Sequence, residues 1–187
     1  MRKSLTVLGA WLVLMAGANV ATPLYAVYAQ RFGFTSLMLT SIFATYAFVL
    51  VPALILFGRL SDRVGRRPVI VGGLAVAGGA LVLFAFAAGT AWLYGARAMQ
   101  GLAVGMIGGA ATAALVELDP RCDRRRAALL AGLAQAGGGA VGPVAAGVLA
   151  QWAPDPLRLC FYVALGATAV AAAGTLTLAE PERRREP

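Results

Sequence analysis

Six long apolar runs constrain this chain more than any other feature of its sequence. They cover approximately residues 5–28, 37–57, 69–87, 91–116, 127–152 and 157–178. Each is near or above the roughly 20 residues that cross about 30 Å of hydrocarbon as a helix. The runs are continuous and rich in Ala, Leu and Gly. A membrane strand would instead be about ten residues of alternating polarity. Composition agrees: 60% of the residues are hydrophobic and 13% charged, against about 25% charged in an ordinary soluble domain. A chain of this size cannot hide so much apolar surface from water, so its solvent is a lipid bilayer. The expected fold class is all-α, a multi-pass membrane protein with six transmembrane helices. Arg2, Lys3 and Ala16-Gly17-Ala18 resemble a signal peptide and its cleavage site, but the apolar character runs on to Tyr28, longer than a usual signal core.

The charges sit in the gaps between the runs. Of sixteen basic residues, thirteen fall on one side of the expected membrane: Arg2, Lys3, Arg59, Arg63, Arg66, Arg67, Arg121, Arg124, Arg125, Arg126, Arg183, Arg184 and Arg185. The other side holds Arg31 and Arg158, and Arg97 lies inside the fourth run. The positive-inside rule therefore predicts cytoplasmic N- and C-termini in a cell inner membrane or plasma membrane. Tyr25, Tyr28, Trp92, Tyr94 and Trp152 fall at the opposite ends of the runs, where amphipathic rings prefer to sit. A net charge of +8 could suggest nucleic acid, but clusters this scattered form no folded basic face. The two cysteines, Cys122 and Cys160, fall on opposite sides of the expected membrane, so no disulfide is implied. With two cysteines and no histidine, neither a metal site nor a cofactor is expected. Enzymatic chemistry is poorly supported, since no paired deep carboxylates exist. Residues 1–179 read as one six-helix unit and 180–187 as a charged tail.

Polar groups at membrane depth carry the most information, because each costs free energy unless partnered. Arg97 lies about 9 Å below the start of the fourth run. It could snorkel to the headgroups or be a buried cation lining a polar cavity. Gln100 on the same helical face, with Gly101 beside it, favours the cavity. Gly101, Gly105 and Gly109 form a four-residue ridge, continued by Ala113, that suits close helix packing. The fifth run holds Gly138, Gly142, Pro143 and Gly147, a cluster that marks a bend or a sealed helix contact. Asn19 and Gln135 are further polar residues at depth, Pro23 a further helix breaker. Glu117 and Asp119 end the fourth run, within reach of arginines between the second and third.

That arginine-bearing stretch is Gly58-x-Leu60-Ser61-Asp62-Arg63-x-Gly65-Arg66-Arg67, expected to form a short charged hairpin between two helices. It is similar to the signature loop of the major facilitator superfamily. Arg97-x-x-Gln100-Gly101-x-x-x-Gly105 resembles the family's fourth-helix motif. Gly138-x-x-x-Gly142-Pro143-x-x-Ala146-Gly147 resembles the fifth-helix motif of exporters, drug:proton antiporters above all, with Ala146 where a glycine is usual. Asn19 to Pro23 fits the first helix of those exporters more weakly.

The resemblance implies the N-terminal half of a twelve-helix fold, itself a 3+3 inverted repeat. It implies efflux of a small-molecule substrate by alternating access, coupled to protons as an antiport, within the lipid bilayer. A second six-helix half or a second copy of the chain would complete the cavity. The rival is a non-transporting six-helix scaffold. By resemblance, Gly58, Leu60, Asp62, Arg63, Gly65, Arg66 and Arg67 form a cytoplasmic gate latch, with Glu117 receiving one of the arginines. Asn19, Arg97, Gln100 and Gln135 would line the cavity, and Gly138, Gly142, Pro143 and Gly147 would seal the outward side. One departure stands out: no Asp or Glu lies deep in any run, where exporters often place a proton carrier.

Overall fold

The computed structural model describes residues 2–119, 121, 123–152 and 156–177. Cys122, Asp155 and the expected tail at 180–187 lie outside the described residues. The described chain is helical throughout, with no strand: α1 (Arg2–Asn19), α2 (Tyr25–Phe32), α3 (Ser36–Val64), α4 (Arg66–Ala85), α5 (Thr90–Leu118), α6 (Arg124–Trp152) and α7 (Pro156–Leu176). Five of these, α3 to α6 and α7 from Arg158, are long and apolar enough to cross a membrane. α1, a turn and α2 share the first apolar run.

That first run is expected to be continuous, and the structure breaks it over residues 20–24. Pro23 lacks an amide hydrogen and disfavours helical geometry at the residue before it. The chain tightens into three-residue turns, with Thr22 N–H donating to Asn19 O (3.1 Å) and Leu24 N–H to Ala21 O (3.1 Å). Asn19 helps end α1 by turning its own Nδ2 back onto the Met15 carbonyl (2.8 Å).

A second correction concerns the expected hairpin between the second and third runs. It is no loop. α3 continues through Arg59 to Val64, α4 starts at Arg66, and only Gly65 separates them. α3, α5 and α6 each have 29 residues, roughly 43 Å of helix, so they outreach about 30 Å of hydrocarbon. The charged signature is therefore carried on helix ends.

The main packing pairs obey an exchange. α3 packs on α5 as α1 packs on α6, α4 packs on α5 as α1 packs on α7, and α4 packs on α7. Exchanging the first three spans with the last three maps this set onto itself, as a 3+3 repeat requires. Both equivalent close contacts are made by glycines four residues apart. A Cβ at Gly105 would lie 2.5 Å from Ala53 Cβ and 2.9 Å from Leu50 O on α3, and one at Gly101 would collide with Tyr46 O. On α6, a Cβ at Gly138 would lie 2.6 Å from Met15 Cβ, and one at Gly142 would collide with Ala16 O on α1. Without side chains the backbones approach directly, which suits association in lipid, where no hydrophobic drive pulls helices together. The expected ridge continues at Gly109, where an added Cβ would lie 3.5 Å from Gly58 Cα. Gly147 belongs to no such contact, for a Cβ there would meet nothing within 4 Å.

Gly142→Val should accordingly force α1 and α6 apart and cost about 1–3 kcal/mol as overpacking. The measurement is thermal unfolding of the detergent-solubilised chain, in which Gly147→Ala should leave the midpoint unchanged or slightly raised.

Candidate functional site

Two polar assemblies stand out, one at the arginine-rich end and one buried between the helices. The first forms because α3 and α4 meet at a single residue. Gly65 adopts φ 104°, ψ 160°, a region open almost only to glycine, and its N–H caps α3 on Ser61 O at 3.1 Å. This sharp turn sets Arg66 back over the last turns of α3. Ser61 is buried, and its hydroxyl donates to Gly58 O (2.8 Å) while accepting from Arg66 Nη1 (2.7 Å). Arg66 Nη1 also reaches Asp62 Oδ1 at 2.5 Å. On its other edge, Nε and Nη2 both donate to Glu117 Oε1, at 3.1 and 2.9 Å.

One planar fork thus joins the ends of α3, α4 and α5, a task a lysine point charge could not perform. Arg66 is mostly covered (side chain 17% exposed), whereas Asp62 keeps 63% exposure. Asp62 is therefore anchored through one oxygen and open to a further partner. Arg67 extends the assembly by donating from Nη2 to the carbonyl of Leu176 in the last turn of α7, where the helix dipole favours a cation. Pro68 is the third residue of α4, where no amide donor is required. Leu60 and Arg63 are exposed, and Gly58 faces Gly109.

The second assembly is built on the break after α1. Ending a helix frees its last carbonyls, and here α5 answers them. Gln100 Nε2 donates to Gly17 O (3.5 Å), and Arg97 Nη1 donates to Ala18 O (3.4 Å) and to Gln100 Oε1 (3.0 Å). Arg97 Nε donates to the hydroxyl of Tyr25, the first residue of α2, at 2.7 Å. The guanidinium lies over the rings of Phe43 (4.5 Å), Tyr25 (5.1 Å) and Phe84 (5.9 Å), each attracting a cation through its π face. Its Nη2 has no hydrogen-bond partner. Arg97 is only 5% exposed, so it is enclosed and does not snorkel. Among the described residues no carboxylate shares its depth. Its charge is met by the carbonyl end of α1 and by aromatic faces.

Along the continuous helix α5 the polar cluster separates two apolar cores. Leu93 and Ala96 belong to one, Ala103, Val104 and Ile107 to the other. A water-sized cavity of about 10 Å³ sits beside it, lined by Leu14, Gly17, Ala18, Ala77, Leu81, Gln100 and Thr168.

Of the four residues expected in a cavity, the structure brings Arg97 and Gln100 together and sets Asn19 at the end of α1 whose carbonyls they bind. Gln135 is exposed on α6, outside the cluster. Pro143 deprives the Gly139 carbonyl of its helical donor, and Asn19 Nδ2 lies next to Gly139. Tyr25, Phe43 and Phe84 were not readable as site residues, and Ser61 was read only as part of the signature stretch. The nearest signal is Tyr25, a tyrosine two residues past a helix-breaking proline.

The family model for the Major Facilitator Superfamily matches residues 6–187. The chain belongs to that superfamily. Among curated proteins, none matches the chain. As a major facilitator it is a multi-pass membrane transporter, and its six apolar runs form an all-α part of that fold.

Tyr25→Phe keeps the ring but leaves Arg97 Nε buried without an acceptor. It should lower stability by about 1–3 kcal/mol, read as a lower unfolding midpoint in detergent. Tyr162→Phe, at a ring 44% exposed, should leave the midpoint in place.

Proposed function

We propose that this chain forms one six-helix half of a proton-coupled exporter of small amphipathic molecules. A second six-helix half, or a second copy, completes the cavity. The observation that carries this reading is Arg97, a fully enclosed cation tied to the end of a broken membrane helix. Broken helices whose ends meet polar groups near the bilayer midplane are how secondary transporters build ion and substrate sites. A buried cation without a carboxylate beside it suits neutral or anionic substrates at least as well as cationic ones. The proton acceptor then comes from the completing half. The direction, efflux by antiport, rests on the resemblance of Gly138, Gly142, Pro143 and Gly147 to the exporter motif.

The arginine-rich end serves as the gate. Arg66 binds the ends of α3, α4 and α5 into one block, and Asp62 keeps an exposed oxygen for a helix N-terminus of the completing half. Closing and opening the cytoplasmic side then means making and breaking that contact. The remainder of the Arg66 network moves as a unit. In this reading both termini are cytoplasmic and the protein resides in the inner or plasma membrane.

Cells expressing the full transporter should export anionic and neutral dyes, such as fluorescein, and lose that export when an uncoupler collapses the proton gradient. Export confined to cationic dyes such as ethidium, or indifferent to the uncoupler, would overturn the assignment. Asp62→Asn should abolish transport while the protein remains in the membrane at normal abundance; normal rates in that variant would sink the gate mechanism.

A further inference from the structure

The small chamber beside the Arg97 cluster has no part in the transport reading. Its volume of about 10 Å³ is too little for a substrate and the least that admits one water molecule. Four helices close it: α1 through Gly17, α4 through Leu81, α5 through Gln100 and α7 through Thr168. Leu81, Gln100 and Thr168 are at most 3% exposed, so the chamber is walled off from bulk solvent.

An apolar void stays dry, whereas a polar one holds water when two to four hydrogen-bonding groups converge on it. The donors and acceptors decide between the two. Gln100 Oε1 takes Arg97 Nη1 at 3.0 Å, which turns Nε2 and its two hydrogens the other way. One of these hydrogens reaches Gly17 O only at 3.5 Å, beyond the usual range of about 2.7–3.2 Å. Thr168 uses its single hydrogen on Ala164 O at 2.8 Å, so its oxygen can only accept from anything else. A water placed here accepts from Gln100 Nε2 and donates to Thr168 Oγ1, and its second hydrogen serves Gly17 O at the end of α1. Three bonds are the usual complement of a buried water. The Arg97 charge beside the chamber favours neutral water over a cation.

Gly17 is the independent sign. Its φ is not among the positive ones. A Cβ on it would lie 3.7 Å from Leu81 Cδ1 and 4.0 Å from Thr168 Oγ1, ordinary contacts with two residues that line the chamber. Alanine would therefore fit, and inside a helix it is the more stable residue. Its methyl group would stand where the water does.

We infer that the chamber binds one structural water, which joins Thr168 of α7 to Gln100 of α5 and to the end of α1. The water orients the Gln100 amide and so keeps Oε1 on Arg97. It also ties α7 into a cluster that direct hydrogen bonds confine to α1, α2 and α5. The inference is independent of the transported substrate and the coupling ion.

The test is X-ray radiolytic labelling of the purified full chain in detergent, in which hydroxyl radicals born at a bound water mark the side chains around it. Leu81 should be labelled several-fold more than Leu74, which is as deeply buried on the same helix but outside the chamber. Gly17→Ala should bring Leu81 down to the Leu74 level. In thermal unfolding, Gly17→Ala should fail to raise the midpoint, and Thr168→Val should lower it by a few degrees while Thr168→Ser keeps it. Combined with Gly17→Ala, Thr168→Val should cost little more, because both remove the same water. Equal labelling of Leu81 and Leu74 in the wild type, a raised midpoint in Gly17→Ala, or additive costs in the double variant mean a dry void and overturn the site. If Gly17→Ala does not purify, Leu81 labelling should vanish in Thr168→Val and survive in Thr168→Ser; its persistence in both overturns the site equally.

Discussion

The carbonyls released where α1 ends are the constraint on which this structure turns. Hydrocarbon offers a backbone no alternative partner, so a helix broken inside a membrane must have its open end answered by protein. Here the answer comes from α5, through Gln100 on Gly17 and Arg97 on Ala18. The same arginine reaches across the break to Tyr25 on α2. One side chain thereby fixes both sides of the break, and the break in turn supplies the partial negative charge that makes a buried arginine tolerable.

α5 also connects this cluster to the opposite end of the molecule. Arg97 and Glu117 lie on the same continuous helix, twenty residues or about 30 Å apart. Glu117 holds Arg66, which in turn holds Ser61 and Asp62. Between them, Gly101 and Gly105 let α3 dock against α5 with backbone touching backbone. The helix that carries the buried cation therefore also carries the anchor of the signature.

Much of this was legible in the sequence. Apolar runs near the length of a membrane crossing leave few alternatives to helices, and Gly58 to Arg67 is patterned enough to signal the superfamily. The glycine ridges announced close packing, and Gln100 one turn from Arg97 announced a shared face. The local geometry of the breaks was less readable. Pro23 and Pro143 look alike as helix breakers, yet α6 runs through Pro143 while the first run stops around Pro23. The difference lies in neighbours: the end of α1 finds donors on α5, whereas α6 at Gly142 is pressed along its length against α1. Gln135 is polar enough for a cavity residue, but it is exposed on α6, away from the Arg97 cluster.

The sequence by itself determined the solvent, the helical class and the superfamily, because hydropathy, charge placement and motif spacing are properties of residues in order along the chain. Tertiary structure alone decided which acids share Arg66 and which carbonyls receive Arg97 and Gln100. Apart from Asp62, four positions from Arg66, those partnerships join residues 51 to 83 positions apart. They depend on the rotation and depth at which whole helices pack, and side-chain periodicity within a single helix carries no record of either.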